Sequence, residues 1–265
     1  MTQSLTRAVA LTDQGLVRTR NEDAFLTLPQ QDIFVVADGM GGHARGDVAS
    51  RLCVDTIRAC LDGTLDPAFL ESMAERHRGG EHPPTSAELE LMTAVEVANL
   101  AVFEAQQKQE ELQGMGTTLV AMRFVAGVAF GVYCGDSRIY RFRDTQLQQM
   151  SEDHSLLNEY LKNHLIRPED AATFPRKNVI LRALGLRPLV DMDVFRQTTL
   201  KGDVYLLCSD GLHDMLDDVK IAEILAQGTL SDRCEALVDA ALEAGGRDNV
   251  TAVLLEYVGP GAGGS

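Results

Sequence analysis

An α+β fold follows from three observations. Short runs rich in Val, Phe and Tyr recur along the chain; they mostly succeed one another instead of alternating with helices; and the helix-periodic segments are fewer and longer. A doubly wound parallel sheet would need a helix between each pair of strands, so the pattern argues against one. The strand-like runs cover residues 7–11, 24–28, 33–37, 118–125, 128–134, 138–142, 194–198, 204–208 and 250–257. Ala126-Gly127 between two of them reads as a hairpin turn. The longest helix is expected over 87–112, where Leu91, Val95, Ala98 and Val102 recur at helical spacing. Thr85 and Glu88, after Pro84, form a capping-box pattern at its start. Further helices are expected over 47–61, 156–162, 219–226 and 231–244, and the Gly- and Pro-bearing stretch 78–85 reads as a surface loop between helices. A single domain over 1–258 with a flexible Gly-rich tail over 259–265 fits best.

Composition narrows the function. The 265 residues, 45% hydrophobic and 24% charged, describe an ordinary globular chain able to bury a substantial core. A formal net charge of -15 argues against nucleic acid or an anionic membrane as a partner, since both call for a basic surface. No stretch approaches the roughly 20 apolar residues of a membrane span, and the N-terminal residues lack a signal-peptide core. A cytoplasmic protein is expected. Cys53, Cys60, Cys134, Cys208 and Cys234 contain no Cys-x-x-Cys pair and read as buried, reduced thiols.

The chemistry lies at the ends of apolar strands. Ile33-Phe34-Val35-Val36-Ala37 stops at Asp38-Gly39, with Gly41, Gly42 and His43 close behind, and Val204–Cys208 runs into Ser209-Asp210-Gly211. Asp136 stands between two strands, Asp248 just before another, and Glu22-Asp23 before a third. Any one Asp-Gly pair is more often a turn than a ligand. If these ends converge, however, the carboxylates repel, and partial burial worsens the repulsion. A divalent cation resolves it. Oxygen donors without His or Cys suit Mg²⁺ or Mn²⁺ better than Zn²⁺, and Gly39 lets its carbonyl approach an ion closely.

Spacing alone does not establish convergence. The ordered set Arg18-x-x-Asn21-Glu22-Asp23, Val36-Ala37-Asp38-Gly39-Met40-Gly41-Gly42-His43, Gly116-Thr117-Thr118, Gly135-Asp136-Ser137-Arg138, Asp153-His154-Ser155, Arg182-Ala183-Leu184-Gly185, Ser209-Asp210-Gly211 and Asp248-Asn249-Val250-Thr251 spans nearly the whole chain. It resembles the type 2C, metal-dependent (PPM) protein serine/threonine phosphatases, especially their short stand-alone bacterial kind.

That resemblance implies a central sandwich of two antiparallel β-sheets flanked by helices on both faces, a four-layer αββα fold. It implies two tightly held Mn²⁺ or Mg²⁺ ions and a weaker third. Asp38 would bridge the two, with the Gly39 carbonyl, Asp210 and Asp248 completing them, Asp23 in the same shell, and Asp136 with Asp210 holding the third. A hydroxide bridging the ions would attack phosphorus directly, and Arg18 would grip the phosphate. His43 stands three residues beyond Met40, the position of a catalytic histidine in some relatives; leaving-group acid, substrate contact and helix cap stay open for it. His77, His82, His154, His164 and His213 carry no assigned role, and His154 is expected to be structural. Residues 155–178 match a flap beside the cleft but depart from the relatives at His164, Phe174-Pro175 and Ile180-Leu181-Arg182. Implied partners are phosphorylated proteins, above all a cognate serine/threonine kinase or its targets, met by a monomer. The alternatives are a non-catalytic phosphoprotein binder of the same fold and an aspartyl-nucleophile phosphohydrolase; for the latter, Asp38-Gly39-Met40 lacks the second acid of an Asp-x-Asp pair.

Overall fold

Apolar runs that never alternate with polar residues need two buried faces, and the computed structural model supplies both; it describes residues 4–41, 45–79, 83–176 and 179–260. One sheet has the order β1 (Thr6–Asp13), β11 (Val250–Tyr257), β10 (Val204–Cys208), β7 (Arg138–Arg143), β8 (Gln146–Gln149). The other runs β2 (Asp23–Leu28), β3 (Ile33–Met40), β5 (Leu119–Val125), β6 (Val128–Cys134), β9 (Asp193–Thr198), with the two-residue β4 (Gly116–Thr117) on the end of β3. All these pairings are antiparallel.

Alternation along each strand builds the layers. On β3, Phe34 and Val36 enter the core between the sheets, while Ile33, Val35 and Ala37 pack outward against α1 (Gly46–Leu61) and α3 (Ser86–Lys108). On β10, Tyr205 and Leu207 point inward, and Val204, Leu206 and Cys208 face α6 (Asp218–Leu225) and α7 (Leu230–Glu243). Phe124 crosses the interface, its ring centroid 5.3 Å from Tyr205 in an edge-to-face pair. The order is helices, sheet, sheet, helices.

Local chemistry sets several boundaries. Ala126 and Gly127 both have positive φ, 50° and 82°, the geometry of a two-residue hairpin turn. Thr85 and Glu88 complete their capping box. The long helix ends at Lys108, earlier than the apolar pattern suggests; Gln109 turns extended, and a short 3-10 turn covers Glu110–Leu112. Strand β3 runs two residues beyond Asp38, because Gly39 and Met40 pair with Thr117 and Gly116. Among the described residues the remaining α-helices are α2 (Pro67–Ala74), α4 (Leu156–Lys162) and the single turn α5 (Asp210–His213). Among the described residues no helix is long and apolar enough to cross a membrane. The five cysteines are free, and burial pushes the Cys134, Cys208 and Cys234 thiols up to about 12.

Candidate metal centre

Register brings the acids together. Asp23 opens β2 directly opposite Asp38 near the end of β3. Both share the inward parity of Phe25, Phe34 and Val36. In the other sheet, Cys208 pairs with both Ala252 and Arg138, so the end of β10, the start of β11 and the β6–β7 turn meet at one edge. Asp210, Asp248 and Asp136 sit at these three places.

Two glycines allow the ends to close. A Cβ on Gly211 would lie 2.0 Å from the Asn249 carbonyl, and one on Gly39 would lie 2.1 Å from the Gly46 carbonyl. Only the absence of a side chain lets Asp210 approach the Asp248 loop, and lets the end of β3 press on the start of α1. The Asp38 carbonyl accepts from the Thr118 N–H (2.8 Å) and the Thr117 hydroxyl (2.9 Å). The Thr118 hydroxyl lies 2.7 Å from that of Ser137, next to Asp136. Asn249 stitches three segments: its amide group donates to the Gln14 and Arg20 carbonyls, and its oxygen accepts from the Glu22 N–H, each at 2.8 Å.

The electrostatics are those of crowded anions. Burial, then Asp23, Asp210, Asp136 and Asp248 in that order, raises the Asp38 carboxyl well above the usual range. Burial with Asp136, Asp248, Asp23 and Asp214 lifts Asp210 to about 8. Asp136 rises to about 6 through burial and Asp153. Asp23 reaches about 6 because burial outweighs the Thr251 and Ser209 hydroxyls that stabilise its anion. Arg18 Nη2 donates to Asp248 Oδ2 at 2.5 Å, with half of its side chain exposed. His43 and Gly42 lie outside the described residues.

Oxygens await a partner here: Asp23 Oδ1 and Asp136 Oδ1 are buried without a hydrogen bond in the structure. A cavity of about 60 Å³ is lined by Asp136, Asp153, Asp210, His213, Asp214 and Arg138. Among the described residues no three His, Cys, Asp or Glu side chains are placed so that they could together hold a metal ion. Hard divalent cations need no such set, since Mg²⁺ is commonly held by one or two carboxylates and keeps several waters. The all-oxygen donor set and the orphaned carboxylate atoms fit such ions.

Sequence reasoning gave Asp214 no role, although it falls one helical turn after Asp210 and its N–H donates to the Asp210 carbonyl; that spacing was the available signal. Gly15, φ +78°, lies so close to the Asp248 carbonyl that a Cβ would come within 2.2 Å; only the Gln14-Gly15 turn pattern hinted at it. His154 stacks on Tyr133 with ring centroids 5.4 Å apart, accepts from the Gly135 N–H, and lies 3.1 Å from Asp193.

A sandwich whose edge gathers buried and half-buried carboxylates defines a candidate divalent-cation site. The family model described as protein phosphatase 2C matches residues 17–245. The serine/threonine phosphatase stp of Listeria monocytogenes is 38% identical over 251 residues, covering 92% of this chain and 93% of its own length. The crystal structure of the Mycobacterium tuberculosis serine/threonine phosphatase PstP/Ppp superposes with a TM-score of 0.80 at 35% identity, covering 95% of this chain and 98% of that one. A structure of the PstP catalytic domain in complex with two manganese ions gives 0.78 at 35% identity, over 96% and 98% of the two chains. The chain belongs to the protein phosphatase 2C family.

Proposed function

We propose that this protein hydrolyses phosphoserine and phosphothreonine esters in proteins with Mn²⁺ or Mg²⁺, and that it opposes a serine/threonine kinase by acting on that kinase or its targets. The observation that carries the reading is the convergence of Asp23, Asp136, Asp210 and Asp248 on Asp38, whose proton affinity all four raise, with Asp136, Asp248 and Asp23 doing the same to Asp210. In this reading Asp38, the Gly39 carbonyl, Asp210 and Asp248 hold two cations with Asp23 beside them, and Asp136 with Asp210 holds a weaker third. Bound there, the cations would supply an activated water and neutralise charge on the phosphoryl oxygens.

The chain's own groups do the rest. Asp248 engages Arg18; the half-exposed guanidinium would donate two parallel hydrogen bonds to phosphate if that carboxylate were taken up by a cation. Burial keeps the Cys134 and Cys208 thiols protonated, so neither supplies a thiolate nucleophile. The β2–β3 pair and the glycine contacts hold the acids in register before substrate arrives. Turnover of p-nitrophenyl phosphate and of a phosphothreonine peptide with Mn²⁺, abolished by EDTA and without a trapped phosphoenzyme, is the expected result. Absence of metal-dependent turnover on either substrate would contradict the reading.

A further inference from the structure

Resting on the reading of Asp23 as part of the cation site, we propose that Asn21, Thr12, Thr251 and Ser209 act as a hydrogen-bond relay that positions Asp23 by occupying its Oδ2 atom and reserving Oδ1 for the cation. The chain of donors has a single direction. The Asp23 N–H donates to Asn21 Oδ1 at 3.1 Å, which fixes the amide and leaves Asn21 Nδ2 to donate to Thr12 Oγ1 at 2.8 Å. Thr12 and Thr251 are register partners on β1 and β11, and their hydroxyl oxygens stand 2.7 Å apart. Thr251 Oγ1 lies 2.6 Å from Asp23 Oδ2. An ionised carboxylate only accepts and a hydroxyl has one proton to give. The Thr251 proton therefore goes to Asp23, so Thr12 must donate to Thr251, and Asn21 must donate to Thr12.

Ser209 closes the arrangement from the other strand. Its hydroxyl donates to the same Asp23 Oδ2 at 2.7 Å and accepts from the Thr251 N–H at 3.0 Å. Two hydroxyl donors thus fill Oδ2, while the buried Oδ1 takes neither, the Asp38 carboxyl being the other polar group against Asp23. The four residues carry no charge and compete with no ligand. They reach from β1, at one edge of its sheet, through β11 and the end of β10 to the first residue of β2. Partners that orient a metal-binding group in this way typically matter by roughly 10–100-fold in metal affinity.

Titrating Mn²⁺ into the whole protein by calorimetry, with no substrate present, tests the relay. Thr251→Val, which keeps the shape and removes the hydroxyl, is expected to weaken Mn²⁺ binding by about tenfold or more. Thr251→Ser should restore it to within about threefold, and Thr12→Val, at the far end, should weaken it less than Thr251→Val does. Native-like Mn²⁺ affinity in Thr251→Val, or equal losses for Ser and Val, overturns the relay. Should Thr251→Val fail to fold, Ser209→Ala and Thr12→Val decide by the same criterion, and native affinity in both overturns it. If the native protein itself bound no Mn²⁺, the cation reading would fall and the relay with it.

Discussion

Arg18 shares Asp248 with any cation bound there, because its guanidinium holds one oxygen of that carboxylate. The guanidinium reaches that carboxylate from a half-exposed position, so it can swing from acid to phosphate without leaving a buried charge behind. Charge-assisted hydrogen bonds contribute about 1.5–3 kcal/mol, so Arg18→Ala should raise KM for phosphosubstrates by roughly 10- to 100-fold and change kcat less. Steady-state kinetics with p-nitrophenyl phosphate separate the two parameters, and an unchanged KM returns Arg18 to the surface. Asp38→Asn preserves shape and removes the carboxyl on which the four other acids all act; with several kcal/mol of metal assistance at stake, turnover should fall by about 10³-fold. Near-native turnover in that variant removes Asp38 from the centre. The identities of these acids were legible in the sequence, each at a strand end. The roles of Ser209, Thr251 and Thr12 were not, because a hydroxyl's function depends on which oxygen lies within about 3 Å of it, and only the register of β1, β10 and β11 decides that.

At the scale of elements, the two Asp-Gly junctions turn strands into ligand platforms. Gly211→Ala places a Cβ against the Asn249 carbonyl. Overpacking of this kind typically costs about 1–3 kcal/mol, so thermal melting should show a clear loss of stability together with a loss of activity. Gly79→Ala, where an added Cβ meets nothing within 4 Å, should show neither. Equal effects at the two sites would mean that the close approach is unimportant. The strongly apolar strands and the capped helices could be read from sequence because burial and capping leave local marks. The short β8 could not: Gln146–Gln149 alternates only between half-exposed and exposed positions, and its pairing with β7 is what makes it a strand. Helix α2 left a mark that went unused, for Asp66 caps it and Pro67 fills its first position. The end of β3 is a tertiary effect, since Gly39 and Met40 extend only because Gly116 and Thr117, far along the chain, lie beside them.

For the whole molecule, the crowded acids couple stability, pH and cation. The ordinary aspartate value is about 3.9, whereas Asp23 and Asp136 stand at about 6 and Asp210 at about 8. The folded, ion-free state therefore holds these protons more tightly than the unfolded chain does. Their contribution to stability is fully present below about pH 4 and is lost as pH rises through about 6 and then about 8. Divalent cations compete with the same protons, so the rise in melting temperature on adding saturating Mg²⁺ should be larger near pH 8 than near pH 6. Equal rises at the two pH values would show that the ion binds elsewhere.

The most direct test of the central claim is anomalous scattering from crystals soaked in Mn²⁺. Two strong peaks within coordination distance of Asp38, flanked by the Gly39 carbonyl, Asp210 and Asp248, are the expected result. Manganese found only at surface acids, with these aspartates still facing one another without an ion, would contradict it.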